Sequence, residues 1–462
     1  MNTLCPLDGR YQQRMQPLLA VMGADAFTLH RVQTECAWWA FLSTRKIPLF
    51  KPFTAKEQQL LARTAKLREE DFQLLRDLEF KGVGNIPATK HDVKAVEYFL
   101  KLRLANTSLK DRLEFIHFAL TSEDINSVSY ALLLADGVEK ALLPALASLQ
   151  KELRKIARKE ARSVMLARTH GQPAVPTTFG KEIRVFESRL ARQIAALKKQ
   201  QISCKFSGAV GNFNAHYAVF PQINWAREVQ KFIRLLNEKR HIKIYLSPIS
   251  TQIDNRDSYP ELFDNLRRIN VILLDFCRDM WLYISSGKVI QKTKAGEVGS
   301  STMPQKVNPI DFENAEGNLQ LANTLCDFFA NKLPVSRLQR DLSDSTVLRN
   351  MPLAFGYGLL AYQSILKGLG KIAFDKKTAR AELDNHPEVL AEALQTVLRA
   401  EGFEHAYETL RDFTRGKKIT AQVLQNFIET LPVTPRIKAR LRVLNVGNYL
   451  GIAADLAEEN YD

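Results

Sequence analysis

Apolar positions recur at alternating steps of four and three residues over three long segments. Leu142, Leu146, Leu149, Leu153 and Ile156 form the first, and Ile183, Phe186, Leu190, Ile194 and Leu197 the second. Leu262, Leu266, Ile269, Leu273, Phe276 and Met280 form the third. Such spacing lays one apolar stripe along a helix and calls for packing of helix on helix. It predicts helices over 138–160, 181–200 and 260–285. Alternation at period two is rare, and Ile242-Lys243-Ile244-Tyr245 is the best short strand. No glycine-rich phosphate loop or dinucleotide fingerprint follows a strand, which argues against nucleotide-hydrolysing and hydride-transfer folds. The expected fold class is all-α, built on a long central helix bundle.

The character of the chain changes near 110 and 370, giving three regions. Residues 1–110 read as a mixed helical domain and 111–369 as the long-helix bundle. Residues 370–462 read as short helices broken by Gly402, Gly416, Pro432 and Pro435. At about 1.5 Å per residue, a helix of ~25 residues reaches about 38 Å. Loops at opposite ends of such rods cannot meet within one chain, so a site composed of several of them implies a homo-oligomer.

Composition narrows the class. Of 462 residues, 45% are apolar and 25% charged, as in ordinary soluble proteins. The start, Met1-Asn2-Thr3-Leu4-Cys5-Pro6, has no basic, apolar leader. The most lipid-like stretch, Met351 to Tyr362, is shorter than the roughly 20 residues needed to span a bilayer. A cytoplasmic protein is expected. Cys5, Cys36, Cys204, Cys277 and Cys326 have no metal spacing and are expected as thiols, with Cys277 and Cys326 packed among apolar neighbours. The eight histidines show no HxxxH or HExxH pattern, so no metal site is expected. The net charge of +15 fits either nucleic acid or small anionic substrates. Bases mixed with acids, as in Lys151-Glu152-Leu153-Arg154-Lys155, and the lack of a basic run interleaved with aromatics favour the small anions.

Several segments carry groups suited to an anionic substrate. In Gly299-Ser300-Ser301-Thr302-Met303-Pro304-Gln305-Lys306-Val307-Asn308, glycine-loosened backbone presents hydroxyls and then a cation. A loop of that kind can close over a carboxylate and meet developing negative charge. It leads into Asp311-Phe312-Glu313-Asn314. Arg168-Thr169-His170-Gly171-Gln172-Pro173-Ala174 joins two predicted helices and offers a histidine placed by the backbone. In Thr89-Lys90-His91-Asp92-Val93, Thr89 is a plausible helix cap with His91 in the first turn. Thr121-Ser122-Glu123-Asp124 reads first as a capping motif and, as a site, as a carboxylate receptor. Arg340 to Arg349 combines helix-start hydroxyls with a guanidinium, like a phosphate receptor or a surface ion-pair cluster.

Together these segments resemble the fumarase/aspartase superfamily, and within it the branch that acts on adenylosuccinate. The likeness runs from Pro6-Leu7-Asp8-Gly9-Arg10-Tyr11 through the segments above and Ser207-Gly208-Ala209-Val210-Gly211-Asn212 to Asn350. It implies an all-α homotetramer with each active site drawn from three subunits, and no metal or organic cofactor. It also implies release of fumarate from adenylosuccinate and from the succinylated imidazole ribotide of purine synthesis. By motif position Ser300 is the base and His170 the acid, with Glu313 orienting the imidazole and His91 supporting the acid step or the phosphate. Thr121, Ser122, Lys306 and Asn308 would hold the succinyl carboxylates, with Gln252 beside them. Arg10, Tyr11, Arg340, Ser345 and Arg349 would hold the nucleotide. Lys90, Asp92, Thr346 and Asn314 complete the implied substrate contacts. Gln305 stands where this branch carries histidine or tyrosine and argininosuccinate-cleaving relatives carry glutamine, so argininosuccinate is the alternative substrate.

Overall fold

The computed structural model describes the chain except residues 1–2, 46, 48–49, 293–302, 304–305 and 460–462. Helices dominate, and the three predicted ones lie at Leu143–Lys159, Phe179–Lys198 and Ser258–Ser285. The first has no break at its predicted start. Ser122–Asp136 is already helical and runs through one π-helical turn, Gly137–Leu142, into Leu143. The apolar period did not reveal this earlier helix because almost every residue of it is buried, leaving no polar face to mark a stripe. The 28 residues of Ser258–Ser285 make a rod of about 42 Å at 1.5 Å per residue.

Among the described residues, four two-stranded pieces accompany the helices. The expected strand is present at Lys243–Leu246, one residue further on, and pairs in parallel with Gln201–Cys204. The longest of those not expected is a hairpin, Val164–Thr169 with Gln172–Thr178, where the sequence suggested only a connection. His170 and Gly171 form its two-residue turn, with φ of +53° and +74°. Positive φ at both central positions matches the twist of a tight hairpin, and glycine takes it without steric cost.

The described residues divide into two compact units. One comprises 1–146, 193–271 and 317–362. Its core joins Trp38, Phe206 and Phe232 edge to face, with ring centroids 4.9–5.1 Å apart. One buried polar pair there is Tyr362 with Asn270: the hydroxyl donates to Asn270 Oδ1 at 2.6 Å. The other unit comprises 147–192, 272–316 and 363–462. Its short C-terminal helices bury Leu383, Leu394, Leu398, Leu410, Leu424 and Leu441 around Leu166 of the hairpin. Leu166, with Val164 packed beside it, fastens the His170 hairpin to a packed base. Cys277 and Cys326 are buried, as expected of packing residues.

Candidate active site

In the first unit, the start of helix Ser122–Asp136 is the meeting point. Thr121 offers its N–H to Asp124 Oδ2 at 2.9 Å, the local capping interaction read from the sequence. Its neighbour Glu123 points the other way and is 2% exposed. There it accepts from Arg256 at 3.1 Å and lies 3.4 Å from Arg340. Arg256 also meets Asp344 at 2.7 Å. Burial would discharge Arg256, but the Glu123 and Asp344 carboxylates overcome it and raise its pKa. Arg340 donates to Gln252 Oε1 at 3.2 Å. Arg340, Gln252 and the Thr121–Ser122 pair therefore share one frame of buried charges.

His91 brings a second segment to the same place. It is itself the cap of helix Asp92–Leu104, its Nδ1 accepting from the Lys94 N–H at 3.3 Å. This corrects the reading of Thr89 as the cap; the Thr89 hydroxyl instead donates to the His91 carbonyl at 3.0 Å. The other ring nitrogen, Nε2, lies 3.4 Å from Ser122 Oγ. Lys90 turns the chain into this helix with φ +49° and is exposed. Asp92 takes Arg31 at 2.5 Å and Arg349 at 3.0 Å. Burial would raise its pKa, yet the two guanidiniums hold it below the ordinary carboxylate range.

The 343–349 segment is the one that reads from the sequence as either a phosphate receptor or an ion-pair cluster. Its helix, Ser343–Leu348, spans six residues, and Arg349 caps the far end from the hydroxyls. Ser343 is taken up by Asp341, and Arg349 by Asp92, so within the chain the ion-pair reading applies. Ser345 is half-buried and Thr346 exposed. Arg10 is exposed, 5.9 Å from the ring of the half-buried Tyr11. A cavity of about 610 Å³ adjoins this end, lined by Arg31, Asp92, Arg349 and Tyr130 together with Leu7 and Leu353.

The second unit holds the remaining predicted residues. His170 is exposed at the hairpin turn. Arg168 braces that turn, donating to the Gly171 carbonyl at 3.0 Å and pairing with Glu382 at 2.5 Å. Glu382 also holds Lys288 at 2.8 Å. Glu313 accepts from the indole N–H of Trp281 at 3.2 Å; among the described residues of the single chain no hydrogen bond joins it to His170. The Asn314 amide oxygen accepts from Ser364 at 2.8 Å. Lys306 is exposed and Asn308 half-buried. Ser300 and Gln305 lie outside the described residues.

Among the buried cations that no sequence motif marks are Arg31, Lys205 and Arg256. Their carboxylate partners lie 61 or more residues away, so no local spacing marks them.

A mostly helical chain with these motif segments on its loops and helix starts has the architecture of a fumarase/aspartase-type lyase. Residues 47–322 match the family described as lyase. The fold resembles a fumarate lyase from Mesorhizobium sp. BNC1, with a TM-score of 0.74, 19% identity and 96% of each chain covered. It also resembles β-carboxy-cis,cis-muconate cycloisomerase from Acinetobacter calcoaceticus, with a TM-score of 0.70, 18% identity and the same coverage. Residues 336–450 match the adenylosuccinate lyase C-terminal family. The adenylosuccinate lyases of Haemophilus influenzae and Escherichia coli K12 are each 43% identical to this chain, covering 99% of it and 98% of their own length. That of Dictyostelium discoideum is 42% identical, covering 98% and 97%. The chain belongs to the adenylosuccinate lyase family.

Proposed function

We propose that the chain cleaves adenylosuccinate to AMP and fumarate, and the succinylated imidazole ribotide in the same way. The observation that carries this reading is the convergence of Thr121, Ser122, His91, Gln252, Arg340 and Arg349, from four distant stretches, on one frame of ion pairs. Hydroxyls and cations so held suit the substrate's carboxylates and phosphate. The adjoining cavity of about 610 Å³ has room for part of a nucleotide.

The reaction is a β-elimination. Ser300 takes a proton from the carbon beside one succinyl carboxylate. The freed electron pair forms the carbon–carbon double bond of fumarate, and the C–N bond to the purine breaks. His170 gives the departing nitrogen its proton. A serine hydroxyl is a weak base, so loop amides and Lys306 stabilise its oxyanion, while Lys306 and Asn308 help hold the succinyl group. Glu313 orients His170 of another copy, which accounts for an exposed imidazole with no hydrogen bond to Glu313 within the chain. The active form is a homotetramer in the cytoplasm, organised in the three sequence regions with the central one forming the shared bundle. No residue role requires a metal or organic cofactor.

Fumarate release, followed by ultraviolet absorbance with adenylosuccinate and then argininosuccinate, tests the substrate. Turnover of argininosuccinate alone would overturn the proposal and give Gln305 the deciding role. Ser300→Ala is expected to abolish turnover while substrate binding and assembly persist. More than a small residual activity would remove Ser300 as the base.

A further inference from the structure

Lys205 has no exposed side-chain surface, and its ammonium lies 2.7 Å from Oδ1 of Asp124, which is equally buried. A buried charge is tolerated only when paired and hydrogen-bonded, and here the pairing is thorough. Asp124 Oδ1 accepts the Ser207 N–H at 2.8 Å, and the Gly208 N–H reaches both oxygens at 3.2 Å. Oδ2 also accepts the Thr121 N–H. The Lys205 ammonium donates to the Gly208 carbonyl, and its backbone N–H donates to Ser127 Oγ at 2.8 Å. One ion pair thus clamps the helix start at 121–127 to the stretch 205–208.

The clamp continues into the next loop. Gly211 has φ +86°, and a Cβ there would stand 2.2 Å from the Ser250 carbonyl oxygen, so only glycine lets the two backbones touch. Ser207 Oγ and Ser250 Oγ are 3.1 Å apart. Thr251 Oγ1 donates to the Gln339 carbonyl at 2.8 Å, and the Gln252 N–H does so at 3.3 Å. Arg340 closes the circuit onto Gln252 and Glu123. The ring of contacts returns to the helix on which it began.

We infer that Lys205 and Asp124 are positioning residues whose buried ion pair sets the spacing of Thr121, Ser122 and Gln252. The inference rests on the proposed function, in which those three hold the succinyl carboxylates. Stability alone does not call for such a pair, because apolar side chains commonly replace one without loss. Apolar side chains could not, however, fix the Thr121, Ser207 and Gly208 amides in place.

The test uses the full chain with Lys205→Met and with the double substitution Lys205→Met, Asp124→Asn. Melting, adenylosuccinate kinetics and amide hydrogen exchange over 119–126 and 205–212 are compared. The single variant strands a buried carboxylate and melts lower. The double removes both charges and is expected to recover most of the melting temperature. Its KM stays at least ~10-fold above wild type with kcat within about threefold, because ground-state and transition-state binding are weakened together. Exchange at Thr121, Ser207 and Gly208 is faster than in wild type. A double variant with wild-type KM and wild-type exchange at these amides overturns the inference. Should the double not fold, Lys205→Gln with Asp124→Asn, which removes both charges and keeps polar groups at both positions, carries the same two readouts with the same deciding outcomes. A wild-type chain that releases no fumarate would sink the functional proposal, while hydrogen exchange still decides this one.

Discussion

The start of helix Ser122–Asp136 and the tip of the His170 hairpin carry their functional groups in opposite ways. At the helix, the proposed contacts stand on carboxylates and cations that are almost wholly enclosed: Asp124 and Lys205 at 0% exposure, Glu123 at 2%. At the hairpin, the imidazole is exposed, and what is fixed is the backbone beneath it, through Leu166 and the Arg168–Glu382 pair. Enclosed charges lose little energy to reorganisation when an anion arrives, which suits binding. An exposed histidine on a braced turn is free to meet a substrate or a neighbouring copy, which suits proton transfer. Stability and chemistry are therefore expected to separate by region.

His170→Ala gives the largest expected effect and the sharpest test of that separation. Loss of a general acid lowers kcat by about 10²- to 10⁴-fold. Removing an exposed ring should leave the melting temperature within about a degree, since surface changes stay within roughly 0.5 kcal/mol. Kinetics and a melt on the same sample decide both. Unchanged kcat would remove His170 from the acid role, and a large drop in melting temperature would erase the contrast between the regions.

Arg256→Met probes the enclosed side. It leaves Glu123 and Asp344 buried without the cation that faces both. Breaking a buried pair in this way costs about 3–5 kcal/mol, read as a shift in the denaturation midpoint. Arg340 remains beside Glu123, so the lower part of that range is expected. A loss near zero would mean that water, not protein, balances these carboxylates.

The two regions were also unequally legible in the sequence. The amphipathic helices announced themselves because one face is polar, and the motif segments because hydroxyls, glycines and charges crowd together. The hairpin went unread because Pro173 and Pro176 break its second strand and Val164-Met165-Leu166-Ala167 shows no alternation. Its available signal was His170-Gly171, a two-residue turn between strand-prone runs. Arg31, Lys205 and Arg256 went unread for another reason. Each is a single cation whose meaning depends on a carboxylate far along the chain, and pairing at that range is set by the tertiary fold. Arg349 reads equally as part of a receptor or of an ion-pair cluster, and its partner Asp92 lies 257 residues earlier, beyond any local spacing.

The smallest expected effect is a pH dependence confined to the enclosed side. Burial pushes the His216 pKa down to about 4, with Asp124 opposing and Lys205 assisting. Its ring lies 5.4 Å from that of Phe213 and 4.9 Å from that of Trp225, and neither nitrogen is hydrogen-bonded. His30 is likewise pushed to about 4, by burial and by Arg240 and Lys140 against Asp136. Both titrate near 6.5 when unfolded, so between about 4 and 6.5 the unfolded chain binds more protons than the folded one. Their contribution is complete above about 6.5 and is lost as pH falls toward 4. Burial lowers the His117 pKa but the Glu35 carboxylate raises it further, so its contribution is full below about 6.5 and fades only at higher pH. Between about pH 5 and 6 the unfolded carboxylates are largely ionised, while the Glu79, Glu123 and Asp279 carboxyls, raised by burial, tilt the slope the opposite way. The histidine part is therefore read as the difference between wild type and variants of His30 and His216. Each of these two histidines contributes up to about 1.4 kcal/mol per pH unit in urea-unfolding free energy. His216→Phe should remove about half of this histidine slope while keeping the aromatic contact with Trp225. A variant that unfolds with the wild-type slope would show that His216 takes up its proton without leaving the fold, and that this side is less closed than its burial implies.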